Sequence, residues 1–265
     1  MKAKDFIFDE RTLSSFGLVI VNFGGSKGLE IIEGAEIKFN TIPSFNGSVY
    51  HMVSTVYENC LETVVQVAKY SCSTDILEIS PVEFREISSW LNRKKFLKFK
   101  ILDEEHIDLY YMASVAGISR IEIDGRLMGL ELKIITNSPH AFKEPKTTVI
   151  TNKVKNGKHS INDESYEEGY IYPYMEIVVN EDGNLNIHNA MENRDTYIAN
   201  VSAGEVITMD YPVIQSSIPS HNIQNDFNWN FFRIANTYDD SRNDLTISLP
   251  CTIKVKYSPI VKVGL

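Results

Sequence analysis

Residues 119–135 read SRIEIDGRLMGLELKII, and this stretch decides the fold class. Asp124-Gly125 is a dipeptide typical of a two-residue hairpin turn, and a segment rich in apolar residues lies on each side of it. The pattern predicts a strand at residues 119–123 and a return strand at residues 127–135. Together with many short β-prone segments elsewhere, the hairpin predicts a mainly β protein.

Further strand-like segments precede this hairpin. They lie at residues 5–9, 18–21, 48–57, 63–70, 96–101 and 106–115. Residues 5–9 alternate in polarity like an edge strand. Residues 58–62 form a plausible connection between two of the segments, so the sequence predicts that 48–57 and 63–70 pair as a hairpin.

One helix is predicted in this half of the chain. Ser80 is a suitable N-cap, Pro81 suits the first helical position, and Glu83 completes a capping box. Four apolar residues then share one helical face: Phe84, Ile87, Trp90 and Leu91. The helix is expected to end at Asn92 and to pack this face on a sheet.

A polar, proline-bearing stretch near residue 143 separates two predicted domains, residues 1–142 and residues 143–265. The first is β-rich with one short helix. In the second, turn signals separate eight strand-like segments, and no helix of two turns or more is apparent. These segments lie at residues 147–151, 174–179, 185–188, 196–201, 205–211, 231–234, 245–249 and 252–257. Regular short strands of this kind predict a β-sandwich.

Composition excludes several classes of protein. The net charge of −9 and the lack of a basic arm argue against specific nucleic-acid binding. No apolar stretch has the length of a membrane helix, and no leader is apparent, so we expect synthesis in a cytoplasm and no membrane partner. The three cysteines, Cys60, Cys72 and Cys251, form no CxxC pair, and they are interpreted as small buried side chains.

No motif for cofactor, metal or nucleophile chemistry is apparent in the sequence. The glycine stretch at residues 24–28 lacks the spacing of a phosphate-binding loop and is interpreted as a flexible loop or hairpin. No two of the six histidines have the spacing of a zinc motif. There is no GxSxG motif, and Cys60 has no identifiable base. The sequence therefore predicts no catalytic, cofactor-binding or metal-binding residues, and no enzyme.

Two alternatives remain open at this point. Acidic pairs could serve glycoside hydrolysis if a cleft held two of them at a defined separation; these pairs are Asp163-Glu164, Glu167-Glu168 and Asp239-Asp240. Trp229, flanked by asparagines, could stack on a sugar ring and make the chain a carbohydrate-binding module. The competing interpretation is that Trp229 and Phe231-Phe232 anchor a loop to the core.

Several segments together resemble the distal tail proteins of long-tailed, non-contractile phages. Phe6-Ile7-Phe8-Asp9 followed by Ser14-Ser15-Phe16-Gly17-Leu18-Val19 is similar to the N-terminal signature of that family. The similarity extends over most of the chain. The other segments that carry it are 110–121, 129–132, 137–142, 204–210 and 251–259.

The resemblance implies a structural role. In this family the N-terminal domain forms a ring, commonly of six copies, and a galectin-like sandwich projects outward. The chain is then expected to be a virion component at the tail tip, a hub linking the tail tube protein to tail-tip or receptor-binding proteins. Residues 5–9, as an edge strand, would be a natural place for copies to pair. DNA would pass through the ring without specific binding.

Overall fold

The computed structural model describes residues 4–21, 36–44, 47, 49–70, 77–103, 106 and 108–262. The chain divides into two compact units, Met1–Lys143 with Lys262–Leu265, and Glu144–Val261. Strands predominate in both units, which confirms the predicted mainly β class. The glycine stretch at residues 24–28 and Cys72 lie outside the described residues.

The first unit contains ten strands, a 3-10 helix (Leu13–Phe16) and helix α1 (Pro81–Leu91) within its described residues. The strands are β1 (Phe6–Phe8), β2 (Arg11–Thr12), β3 (Leu18–Val21), β4 (Ile37–Pro43), β5 (Tyr50–Tyr57), β6 (Glu62–Lys69), β7 (Leu97–Ile101), β8 (Leu109–Ile123), β9 (Arg126–Thr136) and β10 (Ala141–Lys143). The main sheet is antiparallel in the order β2-β1-β7-β8-β9-β6-β3, and β10 pairs with β8.

The predicted hairpin at residues 119–135 is confirmed. Asp124 and Gly125 both have positive φ, 51° and 71°, as a two-residue turn matched to the strand twist requires. Ile123 pairs with Arg126 across the turn. The prediction divided the first strand in two, at 106–115 and 119–123, whereas β8 continues through a bulge between Val115 and Gly117.

Helix α1 begins and ends where the sequence predicts. The Ser80 side chain accepts a hydrogen bond from the Glu83 backbone N–H, the Glu83 carboxylate accepts one from the Ser80 N–H, and Asn92 is the C-cap. Ile87, Trp90 and Leu91 are buried, and Phe84 packs against the same core. That core also includes sheet residues such as Phe6, Phe99, Tyr111 and Leu130, so the helix covers one face of the sheet.

The predicted hairpin of residues 48–57 and 63–70 is wrong. β5 pairs with β4, a strand that was not predicted, and β6 lies between β9 and β3 in the main sheet. The burial patterns give the reason: β6 alternates buried and exposed residues as a strand on a core does, whereas β5 is exposed almost throughout. The two strands therefore belong to different sheets.

The second unit contains twelve strands and the four-residue helix α2 (Ile223–Asp226). The strands are β11 (Lys146–Asn152), β12 (Gly157–Asn162), β13 (Gly169–Ile171), β14 (Tyr174–Val179), β15 (Gly183–Asn189), β16 (Arg194–Val201), β17 (Val206–Asp210), β18 (Val213–Ser216), β19 (Ile234–Asn236), β20 (Arg242–Ile247), β21 (Cys251–Tyr257) and β22 (Ile260–Val261).

The predicted β-sandwich is present in this unit. A five-stranded sheet, β11-β21-β14-β17-β18, and a four-stranded sheet, β12-β20-β15-β16, share one hydrophobic core. Ile177 and Ile253 come from the first sheet, and Leu185 and Leu245 from the second. Their alternation with exposed neighbours follows the period of two expected for a sheet with one buried face.

Strand prediction failed at five places in this unit. Strands β12, β13 and β18 were not predicted, and neither was β22. The predicted strand at residues 231–234 is wrong, because the strand β19 begins only at Ile234. Phe231 and Phe232 are buried but do not lie in a strand. Their apolar character therefore reflects burial in the core and not pairing with another strand. Cys251 is buried as predicted, whereas Cys60 is exposed.

Candidate assembly surface

The strands β4 and β5 form a two-stranded ribbon, called here the arm, that pairs with no other described strand. Every residue of β4 is exposed, and so are all of β5 except its last. A two-stranded ribbon without a packed face is marginally stable in water. Within the described residues, the arm therefore has no packed face that would stabilise it.

The two faces of the arm differ in chemistry. One face is mixed: Lys38 pairs with Glu58 at 3.1 Å, and the Asn40 side-chain amide donates to Ser54 Oγ at 3.0 Å. The exposed apolar residues Ile42 and Val56 also lie on this face. The opposite face carries the large apolar side chains Ile37, Phe39, Tyr50 and Met52, which are between 47% and 66% exposed. Exposed apolar faces of this kind mark interaction surfaces.

The edge strand predicted at residues 5–9 is not a free edge. β1 lies between β2 and β7. Asp9 and Glu10 adopt positive φ, 49° and 65°, so the chain reverses in two residues and lays Arg11 against Phe8. The prediction that this strand is open to another copy is wrong for that reason.

Two of the predicted acidic pairs come together in the structure. Asp163-Glu164 and Asp239-Asp240 line one cavity of about 380 Å³, whereas Glu167-Glu168 does not line it. Both oxygens of Asp163 accept hydrogen bonds, from Ser165 Oγ at 3.0 Å and from the Asn236 amide at 2.9 Å. Asp240 Oδ1 accepts from the Arg242 backbone N–H at 2.8 Å. Asp163 thus holds two side chains, and Asp240 holds the local backbone.

Glycoside hydrolysis also needs an acid whose pKa is raised. The surroundings shift the pKa of three other acids, Glu83, Asp195 and Glu205, and all three shifts are downward. In Glu205, burial alone would raise the pKa, but hydrogen bonds from Ser216, from His221 and from the Ser202 N–H outweigh it. A lowered pKa means that the surrounding hydrogen bonds and ion pairs stabilise the charged carboxylate. Such a group stays ionised and is a poor proton donor.

The histidines are dispersed among separate partners. Three of them each have one polar partner: His106 contacts Asp103, His159 contacts Asn152, and His188 contacts Asp195. His221 lies between Glu205 and Asp226. His140 packs against the Tyr57 ring, and His51 lies on the arm. Glu104 and Glu105, which precede His106 in the sequence, lie outside the described residues. Within the described ranges, no group of three or more His, Cys, Asp or Glu side chains could hold a metal ion.

The phenylalanines around Trp229 anchor their loop by burial, whereas Trp229 keeps much of its surface in solvent. Phe227, Phe231 and Phe232 are each at most 5% exposed, but Trp229 is 56% exposed. The anchoring interpretation is therefore correct for the phenylalanines, and Trp229 only borders them through ring contacts with Phe227 and Phe231. No helix in the part of the chain that the structure describes is long and apolar enough to cross a membrane.

Two family models match consecutive parts of the chain and together cover most of it. A phage tail protein N-terminal domain matches residues 1–138, and a phage tail C-terminal domain matches residues 140–257. The chain belongs to the phage tail proteins. The predicted class, a structural component of a phage tail, is thereby confirmed.

Solved structures show the fold of this phage tail protein. The Dit protein (gp 19.1) of phage SPP1, described as a paradigm of the hub adsorption apparatus in phages that infect Gram-positive bacteria, is similar with a TM-score of 0.65 and 11% identity. The match covers 97% of this chain and 99% of that chain. The predicted resemblance to distal tail proteins is thus confirmed in fold, and the family models show membership of the phage tail proteins.

A chain of the phage p2 baseplate, in its activated conformation with strontium, also matches this phage tail protein. Its TM-score is 0.47 with 13% identity, over 97% of this chain and 98% of that chain. No curated protein matches the chain in sequence.

The arm is the main feature that the sequence analysis missed. Its first strand does carry a signal, because Ile37, Phe39 and Thr41 alternate with Lys38 and Asn40. Such period-two alternation predicts a strand with one apolar face. The sequence could have revealed the strand and its amphipathic character, but not that the described residues would leave this face exposed.

Proposed function

We propose that this phage tail protein is a non-enzymatic hub that closes into a ring, as six copies, between the tail tube protein and the tail-tip or receptor-binding proteins. The observation that carries the proposal is the apolar face of the arm, which no described part of the chain covers. The fold shared with the SPP1 Dit protein supports it. The site of action is the tail tip of the virion, after synthesis in the host cytoplasm.

The apolar face of the arm docks on the next copy in the ring. Contacts in a cyclic assembly are heterologous, since one surface of each copy meets a different surface of its neighbour. A projecting arm suits this geometry because it reaches a neighbour without requiring the same surface on both partners. Burying the exposed parts of Phe39 and Met52 would stabilise each contact by roughly 1.5–3 kcal/mol per side chain.

The lack of a catalytic role is supported by the chemistry of the acids. Asp163 and Asp240 are occupied in holding backbone and side chains, and the resolved pKa shifts of acids are downward. The net charge of −9 also suits a ring through which DNA passes, because like charge disfavours adhesion. Purified protein should release no sugar or peptide from bacterial cell walls, and any release above a heat-denatured control would refute this part.

The ring contact is tested by a double variant of the arm, Phe39→Ser with Met52→Ser. The particle mass is measured by light scattering and sedimentation, with the tail tube protein present to nucleate assembly, and rings are counted by electron microscopy. We expect the variant to associate at least about tenfold more weakly than the natural chain.

A matched control is Ile42→Ser, on the opposite face of the same ribbon. Ile42 is 59% exposed, comparable to Phe39 at 61%, so solubility and ribbon stability change similarly. The control should assemble like the natural chain. Equal assembly by the control and the double variant would refute docking through the apolar face. The ring would be refuted if isolated tails contained only one copy of the chain each.

A further inference from the structure

Trp229 combines an exposed ring with an unfavourable backbone conformation. Its φ is +60°, in the left-handed region that bulky residues rarely adopt. Its indole is 56% exposed, so burial of the ring does not compensate for the strain. Backbone strain of this kind is concentrated at ligand clamps and other functional positions. The loop therefore presents Trp229 to solvent at a cost.

The neighbouring Asn228 holds this loop in place. Its Oδ1 accepts hydrogen bonds from the Tyr197 N–H at 3.2 Å and from the Asn230 N–H at 3.1 Å, and its Nδ2 donates to Asp195 O at 2.9 Å. The Trp229 Nε1–H donates to Gln224 O at 3.1 Å. The backbone and the ring are both fixed, so little conformational entropy would be lost when a ligand covers the indole.

A second group of rings lies close by. Tyr211 stacks on Tyr172 with centroids 4.1 Å apart and planes 9° from parallel, and Tyr170 meets Tyr172 edge-on at 5.5 Å. Tyr170 and Tyr211 are each 54% exposed. The Arg233 guanidinium lies 3.9 Å above the Tyr170 ring and is held by the Glu192 carboxylate through two contacts, at 2.6 and 2.9 Å.

One buried ring connects the two groups. Phe231, 5% exposed, meets Tyr211 at 5.3 Å and Trp229 at 6.4 Å between centroids. Trp229 and Tyr211 are therefore separated by no more than the length of a short oligosaccharide. We call the exposed rings Trp229, Tyr211 and Tyr170, with the Arg233–Glu192 pair, the aromatic platform.

We propose that the aromatic platform binds a neutral, β-linked oligosaccharide of gluco-configured pyranose rings. Equatorial hydroxyls leave the faces of such rings lined with C–H bonds, which pack on aromatic faces. The hydroxyl edges need donors and acceptors, and the fixed Arg233–Glu192 pair supplies both. The net charge of −9 disfavours an anionic polymer as the ligand.

The composition of the platform distinguishes this ligand from a protein partner. The arm exposes aliphatic and thioether side chains beside its aromatics, which is the chemistry of a protein contact. The platform exposes rings whose positions are fixed by hydrogen bonds and stacking, with a charged pair held against them. This site is independent of the proposed ring, because it uses no residue of the arm.

Quenching of tryptophan fluorescence by acrylamide tests the proposal. The chain has two tryptophans, and Trp90 is buried at 1% exposure, so quenching reports on Trp229. The full chain is titrated with chitotetraose and with cellotetraose to about 20 mM; protection should saturate with a dissociation constant on the order of 1 mM for at least one of them. Tyr211→Ala should weaken that binding by about tenfold or more.

The control variant is Tyr238→Ala, which removes a tyrosine that is 67% exposed in another turn of the same unit. It should bind like the natural chain, and near-ultraviolet circular dichroism verifies that both variants fold. Isothermal titration of Trp229→Ala, which should show no heat of binding, gives a second readout. The proposal would be overturned if neither sugar protected the indole from acrylamide. It would also be overturned if Tyr211→Ala and Tyr238→Ala weakened binding equally, or if protection depended on the protein concentration and not on the sugar concentration.

Discussion

The indole Nε1–H of Trp90 donates a 2.8 Å hydrogen bond to the backbone carbonyl oxygen of Phe8, 82 positions earlier in the chain. Trp90 also stacks on Phe16 with centroids 4.6 Å apart. One helical side chain thus ties α1 both to β1, a strand of the main sheet, and to the 3-10 helix. The bond is buried, so the carbonyl has no water to replace the indole.

Replacing Trp90 with phenylalanine should lower the free energy of unfolding of the first unit by about 1–3 kcal/mol or more. The reason is that the Phe8 carbonyl loses its donor and a void remains beside the smaller ring. Chemical denaturation followed by far-ultraviolet circular dichroism measures the change. Trp229→Phe is the matched control, since that indole is largely exposed, and it should cost no more than about 1 kcal/mol. Equal losses would contradict the central role of Trp90.

Glu83 should contribute stability that depends on pH. A hydrogen bond from Lys69 and the Ser80 contacts of the capping box hold its pKa at about 2, below the ordinary 4.5. Because the folded state lowers the pKa, the contribution is complete above pH 4.5 and is lost as the pH falls towards 2. A carboxyl carbon titration by NMR should give a midpoint near 2.

The variant Glu83→Gln should therefore lose stability at pH 7 and show a shallower decrease between pH 5 and 2 than the natural chain. Glu86→Gln, on an exposed part of the same helix, is the control and should keep the natural pH profile. Ser80→Ala removes the other half of the capping box and should cost about 0.5–2 kcal/mol. If Glu83→Gln kept the natural acid profile, the assignment of this pH dependence to Glu83 would fail.

Glu205 should stabilise the sandwich through its buried carboxylate. Its side chain is fully buried. Its carboxylate oxygens accept hydrogen bonds from Ser216 Oγ at 2.5 Å and from the Ser202 N–H at 2.9 Å, and His221 Nδ1 lies 2.5 Å from one of them. Glu205→Ala leaves the facing groups without their acceptor and should cost about 3–5 kcal/mol, measured by denaturation at pH 7.

The acid dependence of this site should follow from the same contacts. The pKa of Glu205 is lowered, so its contribution is present above the ordinary value of 4.5 and is lost as the pH falls through the lower folded pKa. Glu205→Gln should flatten the stability profile below pH 4.5. Glu181→Gln, which removes a surface partner of Lys155, should leave the profile nearly unchanged. A natural profile in Glu205→Gln would contradict this assignment.

Gly157 should not tolerate a methyl group. A Cβ at this position would lie 1.9 Å from Asn152 Oδ1. Asn152 cannot turn away cheaply, because its amide donates to the backbone oxygens of Ile247 at 3.2 Å and Leu249 at 2.7 Å. Gly157→Ala should cost at least about 2 kcal/mol in thermal or chemical denaturation.

Gly117→Ala is the control for this substitution. The nearest atom to its Cβ would be Lys133 Cβ at an ordinary 3.8 Å. The variant should change the free energy of unfolding by less than about 0.5 kcal/mol. If both alanine variants unfolded alike, the proposed clash with Asn152 would not explain the need for glycine at 157.

Local features were predictable because the residues that satisfy them are neighbours in sequence. Ser80, Pro81 and Glu83 complete the start of α1 within four positions, and Asp124-Gly125 supplies both left-handed residues of its turn. Strands with strict alternation, such as Tyr174–Val179, were also found with their bounds. In each of these cases the decisive hydrogen bonds or turn angles come from a few adjacent residues.

The aromatic platform was only partly visible in the sequence. Trp229 was recognised as a candidate for stacking, but Tyr170, Tyr211 and Arg233 were not connected with it. Tyr170 and Tyr211 are far from Trp229 in the chain, although Arg233 is close to it, and Phe231 brings Tyr211 and Trp229 together only in the folded sandwich. The cavity shared by Asp163 and Asp240 was likewise not foreseeable as one place.

The sequence alone determined the helix with its caps, the tight turns, the two β-rich halves and the resemblance to tail proteins, because each depends on local chemistry or on segment order. Tertiary structure alone decided that β5 pairs with β4 instead of β6, that β1 is covered on both edges, and that the arm keeps an apolar face in solvent. A strand has backbone groups suited to any other strand, so its partner is chosen by competition among all segments for one core.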